Sequence, residues 1–561
     1  MRVMMGKAEN RKAAEQFYDL ALAMEIQGER WRANSYLKAA RAIEALGEHL
    51  RSISDRRELR NIEGVGESIE SKLEEYLTTG KIEALEAVRD VLPEDLALFR
   101  DAPTLGIMRV AELDQLLGIR SVDELLRAIY EDRLADLPDF GEEVQRKTLE
   151  WLSWKREETA EVPTPAALRS AHRIINYLRA SGDIGQMELA GPARRMTPSL
   201  ANIVILFTST SPDLVIARFG LCPEVLELTM VERDQAVGKT TSGAACLVRE
   251  VKENAFALEL LRSTGSDAHL KELTAVAKDQ GKRLSSNLPG KGKHARTEEE
   301  IYAALDLAYV PPEMREGRTS AYGPPVEANE LQGDLHVRST ALDGGLRIAE
   351  MVRTAREMGH QYICFCDRLG GRRMDVGTLA RRNAIIDEVQ ETMGLPILKG
   401  AEVDITPDGR LDAPSEALNG LDLVIASVNT KLSMAPDEML ARVLRAMEDP
   451  NMDVLGHPTN RVVGLRDRSG LDLHKVADRA VERRVALEIN AYPDRMDLSD
   501  EDSYKLLGTG AYFSLGSDAA YPNEMDHWKW AATMARKAYL PKARVLNSMP
   551  VEQLRKRAWR K

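Results

Sequence analysis

The chain has 561 residues, which at roughly 100–200 residues per domain makes room for about three to five domains. Its 43 % hydrophobic and 30 % charged residues exclude a disordered chain, and no apolar run approaches the ~18 residues of a membrane span. A formal net charge of -12 excludes coating nucleic acid through the overall field, so any DNA contact must be local. Four cysteines are too few for a disulfide framework, and the N-terminus lacks a signal-peptide apolar stretch. A reducing cytoplasm is expected, with no membrane partner.

Residues 1–160 read as helical throughout. Apolar positions recur at helical spacing in Ala13, Ala14, Phe17, Tyr18, Leu20 and Ala21, and again from Tyr36 to Leu46. Asn61-Ile62-Glu63-Gly64-Val65-Gly66 reads as a hairpin between two helices. Gly64 and Gly66 let backbone amides approach a phosphate, and the following helix start offers further N–H groups. Such a hairpin grips the DNA backbone and reads no sequence. The same pattern also suits an ordinary glycine-containing turn. Two weaker copies follow, with Thr104 and Asp139 where the first glycine would stand. A carboxylate there repels phosphate, so DNA contact is expected from the first hairpin alone.

Glu161-Val162-Pro163-Thr164-Pro165 reads as a linker. From 166 to about 310, helical stretches alternate with apolar runs such as Ile203-Val204-Ile205-Leu206-Phe207, which is α+β character. Pro311-Pro312 and Gly323-Pro324-Pro325 mark a second linker. Beyond Leu331, apolar runs alternate with helical patterns: Tyr362 to Cys366, Ile397 to Lys399, Leu423 to Ser427, Val454 to Gly456 and Ala486 to Asn490. Repeated β-then-α over about 230 residues predicts a barrel of parallel strands.

This order resembles the bacterial branch of DNA polymerase family X, which joins a polymerase-beta-like core to a C-terminal polymerase-and-histidinol-phosphatase (PHP) domain. The motifs carrying it are Asn34-Ser35-Tyr36-Leu37-Lys38-Ala39-Ala40, Gly64-Val65-Gly66 with Lys72, and Thr264-Gly265-Ser266-Asp267-Ala268-His269 as a fingers motif. In the barrel they are Gly333-Asp334-Leu335-His336, Gly400 to Asp404, Gly456-His457-Pro458 and Leu487 to Ala491. The resemblance implies a multi-domain chain. A helix-hairpin-helix N-terminal domain covers 1–90 and a further, fingers-like hairpin region 91–160. An α+β palm with the C-terminal polymerase subdomain covers 166–318, a linker 319–331, and a distorted (β/α) PHP barrel 332–561.

The catalytic positions depart from the family. Nucleotidyl transfer uses carboxylates around two Mg²⁺ ions. In the family these are an Asp-x-Asp pair and a third Asp on a neighbouring strand. The resemblance places the pair at Asn202 and Val204 and the third near Leu247. Asn202 retains a neutral oxygen; Val204 and Leu247 offer a cation nothing. The triphosphate cradle, Gly-Ser in the family, reads Gly191-Pro192, and Pro192 lacks both hydroxyl and N–H. Arg194 and Arg195 persist, to meet phosphate or solvent.

PHP phosphoesterases hold three metals through about nine ligands at barrel strand ends. Five ligands remain by resemblance: His336, Asp343, Glu402, His457 and Asp518. Four histidines are replaced, by Arg338, Arg368, Asn429 and Ala520. Arginine keeps its proton in a protein, so two fixed positive charges stand where cations would sit. No cofactor is expected; the alternative is one divalent ion (Mn, Zn or Mg) on His336, Glu402, His457 and Asp518. A salt-bridged pocket, or arginines that hold a DNA phosphate, are the other outcomes.

By resemblance, Lys72 matches the lysine that forms a Schiff base in the lyase domain of DNA polymerase beta, and Lys38 a phosphate-contacting lysine. Lys72 also reads as a plain surface lysine. Cys364 and Cys366 share one face of a strand with no second pair, which disfavours zinc. Lys291 to Arg296 reads as a basic loop. The first reading is therefore a DNA-binding, repair-associated homologue that contacts gapped or damaged DNA through Gly64, Val65, Gly66, Lys38 and Lys72, with both chemistries lost. It would work in the cytoplasm at the nucleoid, with DNA and repair proteins as partners. The alternatives are a residual PHP phosphoesterase or 3'-5' exonuclease, an abasic-site lyase on Lys72, and an active gap-filling polymerase.

Overall fold

The computed structural model divides the chain into two compact units, residues 1–152 and 153–561. It describes all residues except 1, 94, 97, 98, 100, 101, 103, 131–133, 135, 136, 138, 139, 142, 146, 150, 153–160, 181–183, 286, 287, 289–293, 320, 321, 340–345, 370–373, 433 and 561. Asp139 of the third hairpin, Lys291 to Lys293 of the basic loop and Asp343 lie outside the described residues.

Among its described residues the first unit contains helices and turns and no strand. Helix α1 (Arg2–Ile26) and α2 (Arg30–Glu44) are followed by α3 (Glu67–Thr79), α4 (Ile107–Leu117) and α5 (Val122–Tyr130). Gly80, at φ 77°, ends α3 in the left-handed conformation that glycine adopts without a Cβ clash. One core runs through the unit: Phe17, Ile43, Leu73, Leu113 and Phe140 are all buried in it. Segments 1–90 and 91–160, read as separate regions, therefore share a single apolar interior.

The second unit holds two main sheets. The smaller orders its strands β1-β2-β5-β4-β3, namely β1 (Met187–Ala190), β2 (Asn202–Phe207), β3 (Val225–Val231), β4 (Gln235–Thr240) and β5 (Ala245–Glu250). β2 and β5 are parallel neighbours in the middle. Helix α6 (Thr164–Arg179) buries Ala167, Ala171, Ile174 and Leu178, one apolar stripe at helical spacing, in the core beneath this sheet.

The larger sheet has seven strands in sequence order, each parallel to the next: β6 (Gly333–Val337), β7 (Tyr362–Leu369), β8 (Ile397–Asp404), β9 (Leu423–Ser427), β10 (Val454–Leu455), β11 (Ala486–Asn490) and β12 (Tyr512–Gly516). The two edge strands approach each other. A parallel bridge joins Val337 to Ala519, and the Asp518 amide donates to the His336 carbonyl at 2.8 Å. The barrel is thus nearly closed, as the β-then-α rhythm predicts. Five of its strands, β6, β7, β9, β10 and β11, are buried along their whole length, as parallel strands covered on both faces are. A Cβ on Gly516 would stand 2.4 Å from the His336 Cβ, so glycine is required where β12 meets β6.

Candidate functional site

The first hairpin has the geometry its glycines demand. Gly64 sits at φ 81°, and a Cβ there would lie 3.1 Å from the Lys38 Cγ. Gly66 begins α3 with no side-chain cap, and nothing stands within 4 Å of the place its Cβ would take. The first amides of α3 therefore open outward. Lys38 is exposed and pairs with Glu63 at 3.2 Å, beside a cavity of about 510 Å³ that Asn34, Leu37 and Arg41 also line. Lys72 donates to the Ser68 hydroxyl at 3.1 Å, with its ammonium 6.0 Å from the centre of the Tyr36 ring.

Sequence reasoning missed Trp31. It is 82 % exposed at the start of α2. Trp31, Asn34, Lys38 and Arg41 follow at helical spacing along one exposed stripe of that helix. The signal that could have found it is a tryptophan in the run Arg30-Trp31-Arg32, outside any apolar periodicity.

In the second unit, β2 and β5 pair Asn202 with Ala245 and Val204 with Leu247. The positions that the resemblance makes metal ligands thus lie side by side in the sheet, occupied by an amide and two aliphatic side chains. Gly191 (φ 69°) packs under this pair; a Cβ there would meet Val204 Cγ2 at 3.3 Å. Pro192 follows in the first turn of the short helix Gly191–Arg194.

Arg194 and Arg195 correct the expectation that they meet phosphate or solvent. Arg194 donates from Nη1 and Nη2 to both carboxylate oxygens of Glu298, at 3.0 and 2.8 Å, and from Nη1 to the Thr264 hydroxyl at 3.1 Å. Arg195 donates to Glu316 at 3.0 Å and to the Thr264 carbonyl at 2.7 Å. Glu298 also holds the fully buried Arg315. These partners lie some 70 to 120 residues along the chain, beyond any local pattern. His269 packs near them, hydrogen-bonded to the Tyr302 hydroxyl at 2.7 Å, and burial pushes its imidazole down to about 4.

At the barrel mouth the strand ends bring together His336, Arg338, Arg368, Glu402, Asn429, His457 and Asp518. Arg338 donates to both oxygens of Asp518, at 2.6 Å from Nε and 3.2 Å from Nη2, and from Nη2 to Glu402 at 3.4 Å. Arg368 donates to Asp404 at 3.2 Å, with its Nε 3.9 Å from Glu402. The Asn429 amide donates to Asp404 at 2.7 Å and to Glu402 at 3.3 Å. His457 Nε2 lies 3.2 Å from Glu402, and its Nδ1 bonds Asn460. Ala520 contributes no polar side chain to the mouth.

His336 bonds Glu488 at 2.6 Å, and its Nε2 is 3.6 Å from Asp518. Burial disfavours its proton, but Glu488 and Asp518 outweigh that and push the imidazole up to about 10. Burial also opposes charge on Glu402; His457, Arg338 and Arg368 reverse this and hold its carboxyl well below the usual range. Glu488, Asp404 and Asn490, the last bonded to Asp518 at 3.3 Å, complete the network and were not singled out from sequence.

The donor set does not fit the family's three-metal cluster. Three of the four described carboxylates at the mouth accept from a guanidinium, and the fourth, Glu488, accepts from His336. Among the described residues no group of three or more His, Cys, Asp or Glu side chains is arranged to hold a metal ion. Cys364 and Cys366 lie lower in the barrel, both buried, with sulfurs 3.4 Å apart.

Two domain families match the sequence: a helix-hairpin-helix domain over residues 8–82 and a DNA polymerase beta thumb over 259–316. The second contains the stretch read above as a fingers motif. The DNA polymerase/3'-5' exonuclease PolX of Bacillus subtilis is 29 % identical over 507 residues, covering 86 % of this chain and 88 % of that protein. A probable phosphatase of Thermoanaerobacter sp. is 28 % identical over 212 residues, 36 % of this chain and 83 % of its own length. One of Caldanaerobacter subterraneus is 28 % identical over 213 residues, 36 % and 80 %. These phosphatases correspond to the C-terminal part of the chain. Among the described residues no helix is long and apolar enough to cross a membrane.

Proposed function

Since this chain is a homologue of the bacterial family X DNA polymerases, we propose that it binds gapped or broken DNA in repair without synthesising DNA itself. The observation that carries this reading is the register of β2 and β5: Val204 stands opposite Leu247, so neither of these two facing positions offers a carboxylate to a catalytic Mg²⁺. The cradle supports it, because Pro192 has no amide to donate and both arginines behind it are held by Glu298 and Glu316.

DNA contact falls to the first unit. Gly64 and Gly66 bring backbone amides to a phosphate, Lys38 and Arg41 add charge along α2, and Trp31 offers a face on which an unpaired base stacks. Acidic neighbours such as Glu63 make this binding modest and sensitive to salt. The protein would act in the cytoplasm at the nucleoid, beside repair enzymes that supply the chemistry.

The test measures anisotropy of a labelled one-nucleotide gapped duplex and of the intact duplex, each at two salt concentrations, alongside primer extension with Mg²⁺ and Mn²⁺. Salt-sensitive binding that favours the gap, lost in Gly64→Val, with no extension, is the expected result. Nucleotide incorporation by the purified chain would sink the proposal.

A second reading keeps a lyase. It is favoured by Lys72, half-buried with its amine held at Ser68 and near Tyr36. Its amine would condense with the open aldehyde of an abasic site, expelling water to form an imine. Borohydride reduction of that imine leaves a covalent DNA adduct; a Lys72→Ala variant that traps equally would dismiss Lys72.

A further inference from the structure

The PHP relationship implies metals at the barrel mouth, and the residues there do not fit them. We propose that Arg338 and Arg368 are resident cations: their guanidinium groups take over the electrostatic work of a metal cluster, so the barrel folds and stays closed without any metal. This deepens the reading of a chain without its own metal chemistry and rests on it only for the barrel.

The charges make the case. Glu402, Asp404, Glu488 and Asp518 bring four carboxylates into a region where Glu402, Glu488 and Asp518 are at most 1 % exposed. Such a set repels itself unless cations stand among its members. Here Arg338 bridges Asp518 and Glu402, Arg368 lies between Asp404 and Glu402, and His336 stands between Glu488 and Asp518. Glu402 faces both guanidinium groups, 3.4 Å from Arg338 Nη2 and 3.9 Å from Arg368 Nε.

The replacements read as one coupled set. Substituting a neutral histidine by arginine removes a ligand and adds a positive charge at the same point. One change thus expels a cation and neutralises the carboxylates left behind. Asn429 completes the exchange by donating to Glu402 and Asp404. Both guanidinium groups are committed to these carboxylates, which argues against capture of a DNA phosphate at this mouth.

The experiment uses the full chain, expressed with added Mn²⁺ and Zn²⁺. Metal content is read by plasma mass spectrometry, and thermal unfolding is followed with and without EDTA. Expected are sub-stoichiometric metal and an unfolding temperature that EDTA leaves unchanged. Stoichiometric metal whose removal lowers that temperature would overturn the proposal.

Two paired variants carry the charge argument. Arg338→Met with Arg368→Met should unfold several degrees lower, or fail to accumulate as folded protein. Arg338→Lys with Arg368→Lys, which keeps the charge, should recover a good part of the loss. A methionine pair as stable as the parent would show that the guanidinium groups hold nothing and would end the proposal. Gapped-DNA binding by the same preparations separates the two claims. Its absence beside an EDTA-indifferent barrel would remove the DNA reading and leave the resident cations standing.

Discussion

The palm strands and the barrel mouth, the two places where the resemblance puts metal chemistry, are built in opposite chemical ways. In the palm, the positions that the resemblance makes carboxylates hold Val204 and Leu247, aliphatic side chains that lie opposite each other and carry no charge. At the barrel mouth carboxylates stand among Arg338, Arg368 and Asn429, at positions that the resemblance makes neutral histidine ligands. Removing buried charge from a metal site needs no compensation, because the metal leaves with its ligands. Removing neutral ligands strands the carboxylates, and a new cation must arrive with the substitution.

The sharpest way to break this contrast is to remove one carboxylate from the mouth. Glu402→Ala leaves Arg338 and Arg368 each short of a partner and should lower stability by about 3–5 kcal/mol in urea unfolding. Val204→Ala in the palm should cost only about 1–2 kcal/mol, the loss of packing alone. Equal losses would mean that the two sites are held by the same kind of interaction.

The seam between the two regions comes next. Lys537, at the end of the helix Trp528–Lys537, is fully buried. Its Nζ donates to the carbonyls of Arg195 and Met196 at 2.8 and 3.2 Å and lies 3.4 Å from Glu316 and 3.5 Å from Asp500. Lys537→Met leaves Glu316 to Arg195 and Asp500 to Arg318 but leaves the carbonyls of the palm turn without their buried donor, at a cost of about 1–3 kcal/mol. Calorimetry should then resolve two transitions in the second unit where the parent shows one. A single transition at the parent temperature would show that the lysine does not couple palm to barrel.

The regions should also part company with pH. His336 is pushed up to about 10, so its contribution is complete below its ordinary value of 6.5 and is lost as pH rises through 10. The barrel should therefore weaken on the alkaline side, by a few degrees between pH 8 and 10.5, and His336→Gln should flatten that slope. His269 moves the other way. Held neutral down to about 4, it favours the unfolded chain as pH falls from 6.5 toward 4. The polymerase-like part should weaken on acidification, and His269→Phe should blunt the effect. A slope that ignores both variants would place the titrating groups elsewhere.

Sequence carried the architecture further than the chemistry. Five of the seven barrel strands, β7 to β11, were legible because parallel strands buried on both faces read as apolar runs, whereas β6 and β12 were not read as strands. The first hairpin was legible because Gly64 must take a positive φ. The resemblance placed the third palm position only near Leu247; it is the fold that pairs Leu247 with Val204. What stayed hidden is pairing through space. Arg194 meets Glu298 and Arg195 meets Glu316 across more than 100 residues, and Lys537 reaches Arg195 across more than 300. Glu488 and Asp404 look like ordinary acidic residues until folding sets them against His336 and Arg368. An arginine at a ligand position declares its charge in the sequence, but the carboxylate it neutralises is known only from the fold.

The smallest effect concerns the first unit, which shares neither pattern of loss. Trp31 is 82 % exposed, so Trp31→Ala should leave the unfolding temperature of the chain unchanged. If α2 presents this ring to an unpaired base, the variant should bind gapped DNA roughly five- to tenfold more weakly, about 1 kcal/mol, with the salt dependence preserved because no phosphate contact is removed. Binding to the intact duplex should barely change. Lys38→Gln should behave in the complementary way, weakening gapped and intact duplex alike and reducing the salt slope by about one. Glu402→Ala and Val204→Ala should alter neither affinity, since both lie in the other unit. A drop in duplex affinity equal to that for the gap would reduce Trp31 to a surface residue and leave the hairpin amides and Lys38 as the DNA contact.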